Sequence, residues 1–134
     1  MYNSIILLVL TPVVFTISLT VNAQRLEADP KAGKQVYASC MACHSLERDR
    51  TGPRHCGLFG RHAGTVPGFE YSSAMRKAGI LWDMETLDRF LEAPLKVVPG
   101  TTMGFAGIKD SKNRRDLIAY LKSASDSPDI CVNN

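Results

Sequence analysis

The sequence predicts an all-α domain of three to five short helices separated by long loops. Signals for helix starts and stops recur along the chain, whereas no convincing pair of segments alternates apolar and polar residues as paired strands would. Residues 45–69 and 96–108 are punctuated by Gly and Pro and lack helical periodicity, so both are expected to be loops. Short helices and long loops enclose a core poorly by themselves, which predicts a large flat apolar group at the centre of the domain.

The first two helices are predicted from their ends. Asp29 and Pro30 supply an N-cap followed by proline at the first helical position, and this helix is expected to run to about Cys43. A short second helix is expected over residues 72–78, because Gly79 stands where a glycine commonly ends a helix.

Two further helices are predicted from a cap and from an apolar stripe. Asp83 is expected to cap a helix that ends before Pro94, because the residue before a proline disfavours the helical conformation. The last helix is expected from about Asp110 to Ser123. Three of its residues form an apolar stripe at helical spacing: Leu117, Ile118 and Leu121.

Residues 1–23 are predicted to be a secretory signal peptide that is cleaved after Ala23. Residues 5–21 are apolar apart from Thr, Ser and one Pro, and no charged residue precedes Arg25. A retained membrane anchor is the alternative, and Pro12 and the hydroxyl residues disfavour it because a span needs about 20 mostly apolar residues. Residues 24–134 then form one small exported domain, which we expect in a bacterial periplasm.

The charge pattern favours a protein partner over a nucleic acid. The formal net charge is +3, and Lys and Arg are interleaved with Asp and Glu, with no basic tract. Such a mild excess of positive charge would assist docking on an acidic partner.

Residues 40–44 have the sequence Cys-Met-Ala-Cys-His, the pattern of covalent haem attachment. Cysteines three residues apart can reach the two vinyl groups on one porphyrin edge as thioethers, and His44 then points at the iron. A thioredoxin-like dithiol would need a preceding strand and a βαβ frame, which the sequence lacks. A zinc knuckle would need a second ligand pair, which His55 and Cys56 provide poorly. A structural disulfide within the motif is the remaining alternative.

The second axial ligand decides between a carrier and an enzyme. Met103 lies in an irregular Gly- and Pro-rich loop that could hold its side chain at a defined point, whereas Met75 and Met84 lie on predicted helices and are expected to fill core space. His62 and especially His55 are alternative ligands, although a packing or surface role is the simpler reading of both. A His–Met pair leaves no open coordination site and therefore indicates electron transfer.

These residues resemble class I cytochrome c, and in particular the branch of cytochrome c2 and mitochondrial cytochrome c. The match runs from about Gly33 to Lys122. Gly33 and Tyr37 resemble the family's glycine and aromatic residue that cross the last helix. The resemblance implies one haem c per chain, attached through Cys40 and Cys43 within a single monohaem domain over residues 24–134.

The resemblance also assigns roles around that haem. The carbonyl of Pro53 is implied to accept the N–H of His44 and so to orient the ring. The loop around Met103 resembles the family's methionine-ligand loop. Five residues are implied to contact the propionates, the last two as lesser donors: Arg61, Tyr71, Trp82, Ser72 and Thr101.

The chain departs from the family pattern at several of these positions. Phe90 replaces a tyrosine of mitochondrial members, Met75 replaces a polar residue, and His55 occupies a position that is usually apolar. A less basic docking face follows from the replacement of three ring lysines by Ser39, Leu95 and Thr102. Cys56 and Cys131 lie outside the family pattern, and in an oxidising compartment we expect them to form a disulfide.

The implied function is that of a soluble, monomeric electron carrier and not an enzyme. Its expected partners are redox proteins: a donor such as a cytochrome bc1-type complex or a periplasmic dehydrogenase, and an acceptor such as a terminal oxidase or a reaction centre. Membranes would be met only through those complexes. Two other classes remain open, a haem enzyme or gas sensor with a labile sixth site, and a permanent subunit of a larger complex.

Overall fold

The computed structural model describes residues 27–132, which contain five α-helices. In chain order these are α1 (Pro30–Tyr37), α2 (Ser73–Arg76), α3 (Met84–Glu92), α4 (Pro94–Val97) and α5 (Ser111–Ser125). The only strand-like pairing within this range is an isolated antiparallel bridge between His62 and Leu81. The predicted all-α class is therefore confirmed. The predicted signal peptide, residues 1–23, lies outside the described residues.

The helix starts follow from local side-chain chemistry, as predicted. Asp29 caps α1 by accepting a hydrogen bond from the backbone N–H of Lys31. Asp83 and Thr86 form a reciprocal capping box at the start of α3. Asp110 accepts a bond from the N–H of Asn113 at the start of α5. Each cap satisfies a backbone donor that has no partner within its helix.

Two predicted boundaries are wrong. The first helix ends at Tyr37 and not near Cys43, because the N–H groups of residues 38–40 bond to carbonyls three residues back, and successive turns carry the chain to residue 43. The first two residues of the predicted loop 96–108 instead belong to the short helix α4. Pro94 can begin that helix because proline has no N–H group, and an N–H at the first helical position would have no partner within the helix.

Helices α1 and α5 cross at close range and form the main packing contact of the fold. A side chain at Gly33 would overlap the backbone carbonyl of Asp116, and the rings of Tyr37 and Tyr120 lie 5.3 Å apart. The buried carboxylate of Asp116 accepts bonds from the N–H of Asp29 (2.9 Å) and the ammonium of Lys112 (2.6 Å). These two bonds hold the carboxylate ionised and lower the pKa of Asp116.

Helix α5 also carries the predicted apolar stripe, whose three residues are all buried in the core. On another face, the Arg114 guanidinium pairs with the Asp88 carboxylate of α3 at 2.7 Å. The long segment 45–69 contains no helix and folds over the side of this core. No helix within residues 27–132 has the length and apolar character needed to cross a membrane.

Candidate functional site

A cavity of about 250 Å³ opens into the centre of the domain. Its walls are largely apolar and come from the loop 51–71, from α3 and from α5. Nine of the ten residues proposed to hold or contact a cofactor lie around it: Cys40, Cys43, His44, Pro53, Arg61, Tyr71, Trp82, Thr101 and Met103. Ser72, the remaining lesser donor, is not among the lining residues and instead caps α2 by accepting from the N–H of Met75.

His44 is oriented by the backbone of the loop that follows it. Its Nδ1 lies 2.8 Å from the carbonyl oxygen of Pro53, which can only accept, so Nδ1 carries the proton and donates. Burial lowers the pKa of His44, although the bond to Pro53 acts in the opposite direction. The imidazole is therefore neutral at pH 7, with an unprotonated Nε2 that is suited to a metal.

The backbone of Gly52 lies against the His44 ring. A Cβ atom at Gly52 would fall 2.6 Å from Nε2 and 2.7 Å from Nδ1 of that ring, closer than carbon and nitrogen atoms can pack. Glycine at this position lets the loop approach the imidazole closely enough for Pro53 to accept its proton.

His55 stacks on His44, an arrangement that the sequence did not reveal. The two ring centroids are 4.4 Å apart and the planes differ by 20°. His55 Nδ1 also lies 3.1 Å from the hydroxyl oxygen of Tyr37. Burial, with smaller contributions from His44 and Arg61, lowers the pKa of His55 to about 3. The ring is thus neutral and half-buried.

This stacking argues against His55 as the second axial ligand. Two ligands on opposite sides of an iron point toward each other through the metal, whereas stacked rings lie side by side. His62 is exposed and does not line the cavity. Met103 and Met75 both line the cavity without stacking on His44, but Met75 is buried in the core on α2, whereas Met103 lies half-buried on an irregular loop.

The Met103 loop is held by short-range hydrogen bonds. The N–H of Thr101 donates to Val98, the N–H of Met103 donates to the Thr101 hydroxyl at 3.2 Å, and the N–H of Phe105 donates to the carbonyl of Met103 at 2.9 Å. These bonds give the loop a defined conformation and leave the Met103 side chain half-buried against the core.

The two cysteines of the attachment motif are unbonded thiols on the turns that follow α1. Cys40 is half-buried and Cys43 is exposed. Burial raises the pKa of the Cys40 thiol, and the Ser39 hydroxyl partly offsets this effect. The amides of Cys43 and His44 both donate to the Cys40 carbonyl, so one turn sets the spacing of the three side chains.

Arg61 is the charged group of the cavity wall. Its guanidinium donates to the carbonyls of Cys56 (2.8 Å) and Arg54 (3.1 Å), which fixes its position without an acidic partner. Trp82 is buried against Phe90 at a ring distance of 5.0 Å. Tyr71 is half-buried, and burial raises its pKa. A fixed cation, an indole and a phenol near one another suit a carboxylate-bearing ligand.

These features fit a covalently held haem. The cavity has apolar walls for a flat apolar group, two free thiols at its edge, a neutral imidazole with Nε2 available, and a thioether from Met103. In contrast, no cluster of three or more His, Cys, Asp or Glu side chains within residues 27–132 could hold a metal ion alone. A zinc knuckle built with His55 and Cys56 therefore has no support in the described part of the chain.

Cys56 and Cys131 lie next to each other away from the attachment motif. Their Cα atoms are 5.6 Å apart and their sulfur atoms have the arrangement of a disulfide across 75 residues of chain. Cys56 is fully buried in the loop that carries His55. The contact would fix the C-terminal segment to the cavity wall.

The chain is similar to a family model and to several known proteins. Residues 30–125 match the family model described as cytochrome c. Cytochrome c of Euglena viridis is 48% identical over 101 residues, covering 73% of this chain and 99% of that protein. Cytochrome c2 of Blastochloris viridis is 44% identical over 97 residues, covering 70% of this chain and 76% of the relative. The solved structure of cytochrome cH from Methylobacterium extorquens is 43% identical, with a TM-score of 0.70, and covers 72% of this chain and 99% of that chain.

Proposed function

The chain belongs to the cytochrome c family, and from this membership we propose that it transfers single electrons through one haem c ligated by His44 and Met103. Members of this family carry a covalently bound c-type haem and pass electrons between redox proteins. The observation that supports the specific ligand set is the shared cavity, which brings the attachment cysteines, His44 and Met103 around one space.

When bound, the haem supplies an iron that alternates between Fe(II) and Fe(III). The chain's own residues then have distinct tasks. Cys40 and Cys43 would attach the group, and His44 and Met103 would both ligate its iron, so that substrates would find no open site there. Pro53 keeps the proton of His44 on Nδ1 and thereby leaves Nε2 free to ligate.

The polar and the apolar residues of the cavity have different proposed roles. We propose that Arg61, Tyr71, Trp82 and Thr101 bind the propionates, because they bring a fixed guanidinium and hydrogen-bond donors to the cavity lining. The remaining walls are apolar and exclude water, so little solvent has to reorganise around the iron when its charge changes. This arrangement suits rapid outer-sphere transfer.

The proposed docking rim lies beside the Met103 loop. Leu95 is 54% exposed, Thr102 is exposed, and Leu95 and Phe105 border a shallow surface pocket next to α4. Leu95 and Thr102 stand where the resemblance places lysines. We propose that redox partners dock here briefly and mainly through apolar complementarity. Their binding should therefore weaken less with ionic strength than binding to a ring of lysines would.

A redox titration with a carbon monoxide assay tests the proposed function. We expect the purified holoprotein to titrate reversibly with one electron per chain, and the reduced protein not to bind carbon monoxide, because Met103 occupies the sixth position. Rapid binding of carbon monoxide to the native reduced protein would indicate a labile sixth site and a catalytic or sensing role.

We further propose export to a bacterial periplasm, a monomeric state, and a donor and acceptor among periplasmic or membrane-bound redox complexes. The apolar leader over residues 5–21 and the similarity to cytochrome c2 support this placement. The mass of the purified protein tests it, since cleavage after Ala23 fixes the expected chain length.

We also predict that Cys56 and Cys131 are covalently paired in the exported protein. In the chain-entropy model, closing a loop of 75 residues stabilises the fold by about 4 kcal/mol. Alkylation of the denatured holoprotein is expected to label neither cysteine before reduction and both after it. Labelling of both without a reductant would contradict the pairing.

A further inference from the structure

Tyr37 and His55 form a polar pair within the largely apolar surroundings of His44. The Tyr37 hydroxyl and His55 Nδ1 are 3.1 Å apart, and the two rings meet edge to face with centroids 5.7 Å apart. His55 in turn stacks on the His44 ring at 4.4 Å. The three side chains therefore form a continuous chain of contacts that ends on the proposed iron ligand.

Both ends of this chain of contacts are fixed by the fold. Tyr37 is buried at the end of α1 and packs on Tyr120 of α5. The backbone N–H of His55 donates to the carbonyls of Ser45 and Leu46, which directly follow His44. The position of the His55 ring is thus tied both to the α1–α5 crossing and to the segment that carries His44.

The direction of the Tyr37–His55 hydrogen bond follows from the partners available. The only hydrogen bond of the Tyr37 hydroxyl among the described residues is the one to His55, and burial raises the pKa of Tyr37, so the phenol keeps its proton and donates it. His55 Nδ1 accepts this bond, and Nε2 carries the ring proton. One tautomer of the His55 ring is favoured as a result.

We propose that Tyr37 and His55 act as a positioning pair that sets the orientation of the His44 ring plane. The bond from His44 Nδ1 to Pro53 fixes one ring atom, and the Gly52 backbone packs against the ring. A flat side chain stacked on the ring further restricts its swing about that bond, and the Tyr37 hydroxyl keeps that side chain in place. An apolar residue at position 55 could fill the same space without a fixed flat face. This inference rests on the proposed function, because it assumes that His44 ligates the haem iron.

The orientation of a ligating imidazole determines how the unpaired electron of low-spin Fe(III) is distributed over the porphyrin. The proton NMR spectrum of the oxidised holoprotein, and specifically the spread of its shifted haem-methyl resonances, measures that distribution. We expect His55→Leu to change this spread and Tyr37→Phe to change it in the same direction by a smaller amount. The midpoint potential should move in both variants.

Tyr120→Phe is the matched control, since it removes a phenol oxygen from the ring adjacent to Tyr37 without a recorded bond to His55. Its haem-methyl pattern should match that of the unmodified protein. His55→Phe separates the contribution of the flat ring from that of the hydrogen bond, because phenylalanine retains a flat ring but cannot accept a hydrogen bond from Tyr37. Its haem-methyl pattern should lie between those of His55→Leu and the unmodified protein.

The inference is overturned if His55→Leu and Tyr37→Phe both give the haem-methyl pattern and the potential of Tyr120→Phe. If His55→Leu yields no holoprotein, Tyr37→Phe alone decides, because it deletes a single oxygen atom. The charge-transfer absorption of the methionine–iron bond is recorded on the same samples. If that band is present while the NMR pattern is unchanged, only the positioning role fails; if it is absent from the unmodified protein, the proposed ligand set fails.

Discussion

Replacement of Gly52 by alanine is expected to disrupt the haem site more than its small size suggests. The added methyl group would lie 2.6 Å from Nε2 and 2.7 Å from Nδ1 of His44, and the ring cannot yield freely because Pro53 and His55 hold it. The His44 ring or the loop must move, and loss of such a supporting contact typically weakens metal binding about 10- to 100-fold. We expect a lower yield of haem-loaded protein and an altered visible spectrum in Gly52→Ala.

The appropriate control for this variant is Gly104→Ala. Nothing lies within 4 Å of a Cβ atom at Gly104, and its backbone does not need the left-handed conformation. It therefore introduces the same methyl group in the same protein without overlapping any other protein atom. Equal haem loading and identical spectra in the two alanine variants would show that Gly52 is not required for close packing on His44.

Replacement of Gly33 by alanine is expected to separate α1 from α5. The new Cβ would overlap the Asp116 carbonyl and lie 2.9 Å from Cβ of Tyr120. The overlapped group is backbone within a helix, so it cannot rotate away as a flexible side chain could. Overpacking typically costs about 1–3 kcal/mol, and this site belongs at the upper end of that range. We expect the denaturant midpoint of the holoprotein to fall accordingly.

The direction of the stability change in Gly33→Ala distinguishes steric overlap from helix propensity. In an exposed helix position, glycine to alanine stabilises by about 1 kcal/mol, so propensity alone predicts a gain at position 33. Lys34→Ala, on the exposed side of α1, serves as the control and should change stability little. An unchanged or raised midpoint in Gly33→Ala would contradict the close crossing of α1 and α5.

The predictable parts of the fold are those determined by residues close in sequence. Asp29, Asp83 and Asp110 each bond to a backbone N–H two or three residues later, so the starts of α1, α3 and α5 depend on nearby residues and lie close to the predicted positions. The apolar stripe of α5 was also predictable, because helical spacing brings its residues onto one face. The attachment motif is a local pattern of the same kind.

The end of α1 could not be predicted in this way. Nothing between Tyr37 and Cys43 breaks a helix, and the change to tighter turns brings the motif cysteines to the cavity. The helix α4 was missed for a related reason. Pro94 was correctly taken to end α3, but a proline that ends one helix also begins another without cost.

In the site, too, local features were predictable from the sequence and tertiary contacts were not. The motif and the family resemblance proposed ten cofactor residues, and all except Ser72 line the cavity, yet they gave no indication of the His55 stack. The Tyr37–His55 bond joins residues 18 apart, and only the folded loop shows which side of His44 the second ring occupies. That His55 lies beside His44, and not on the opposite side of the cavity, depends on the tertiary structure.

The central claim is that His44 and Met103 together hold the iron, and the visible spectrum of the oxidised protein tests it most directly. Met75→Leu is the matched control, because Met75 lines the same cavity but lies on α2 and is buried in the core. We predict that the red charge-transfer band of a methionine–iron bond is present in the unmodified protein and in Met75→Leu, and is lost in Met103→Ala. Persistence of the band in Met103→Ala, or its absence from the unmodified protein, would contradict the account.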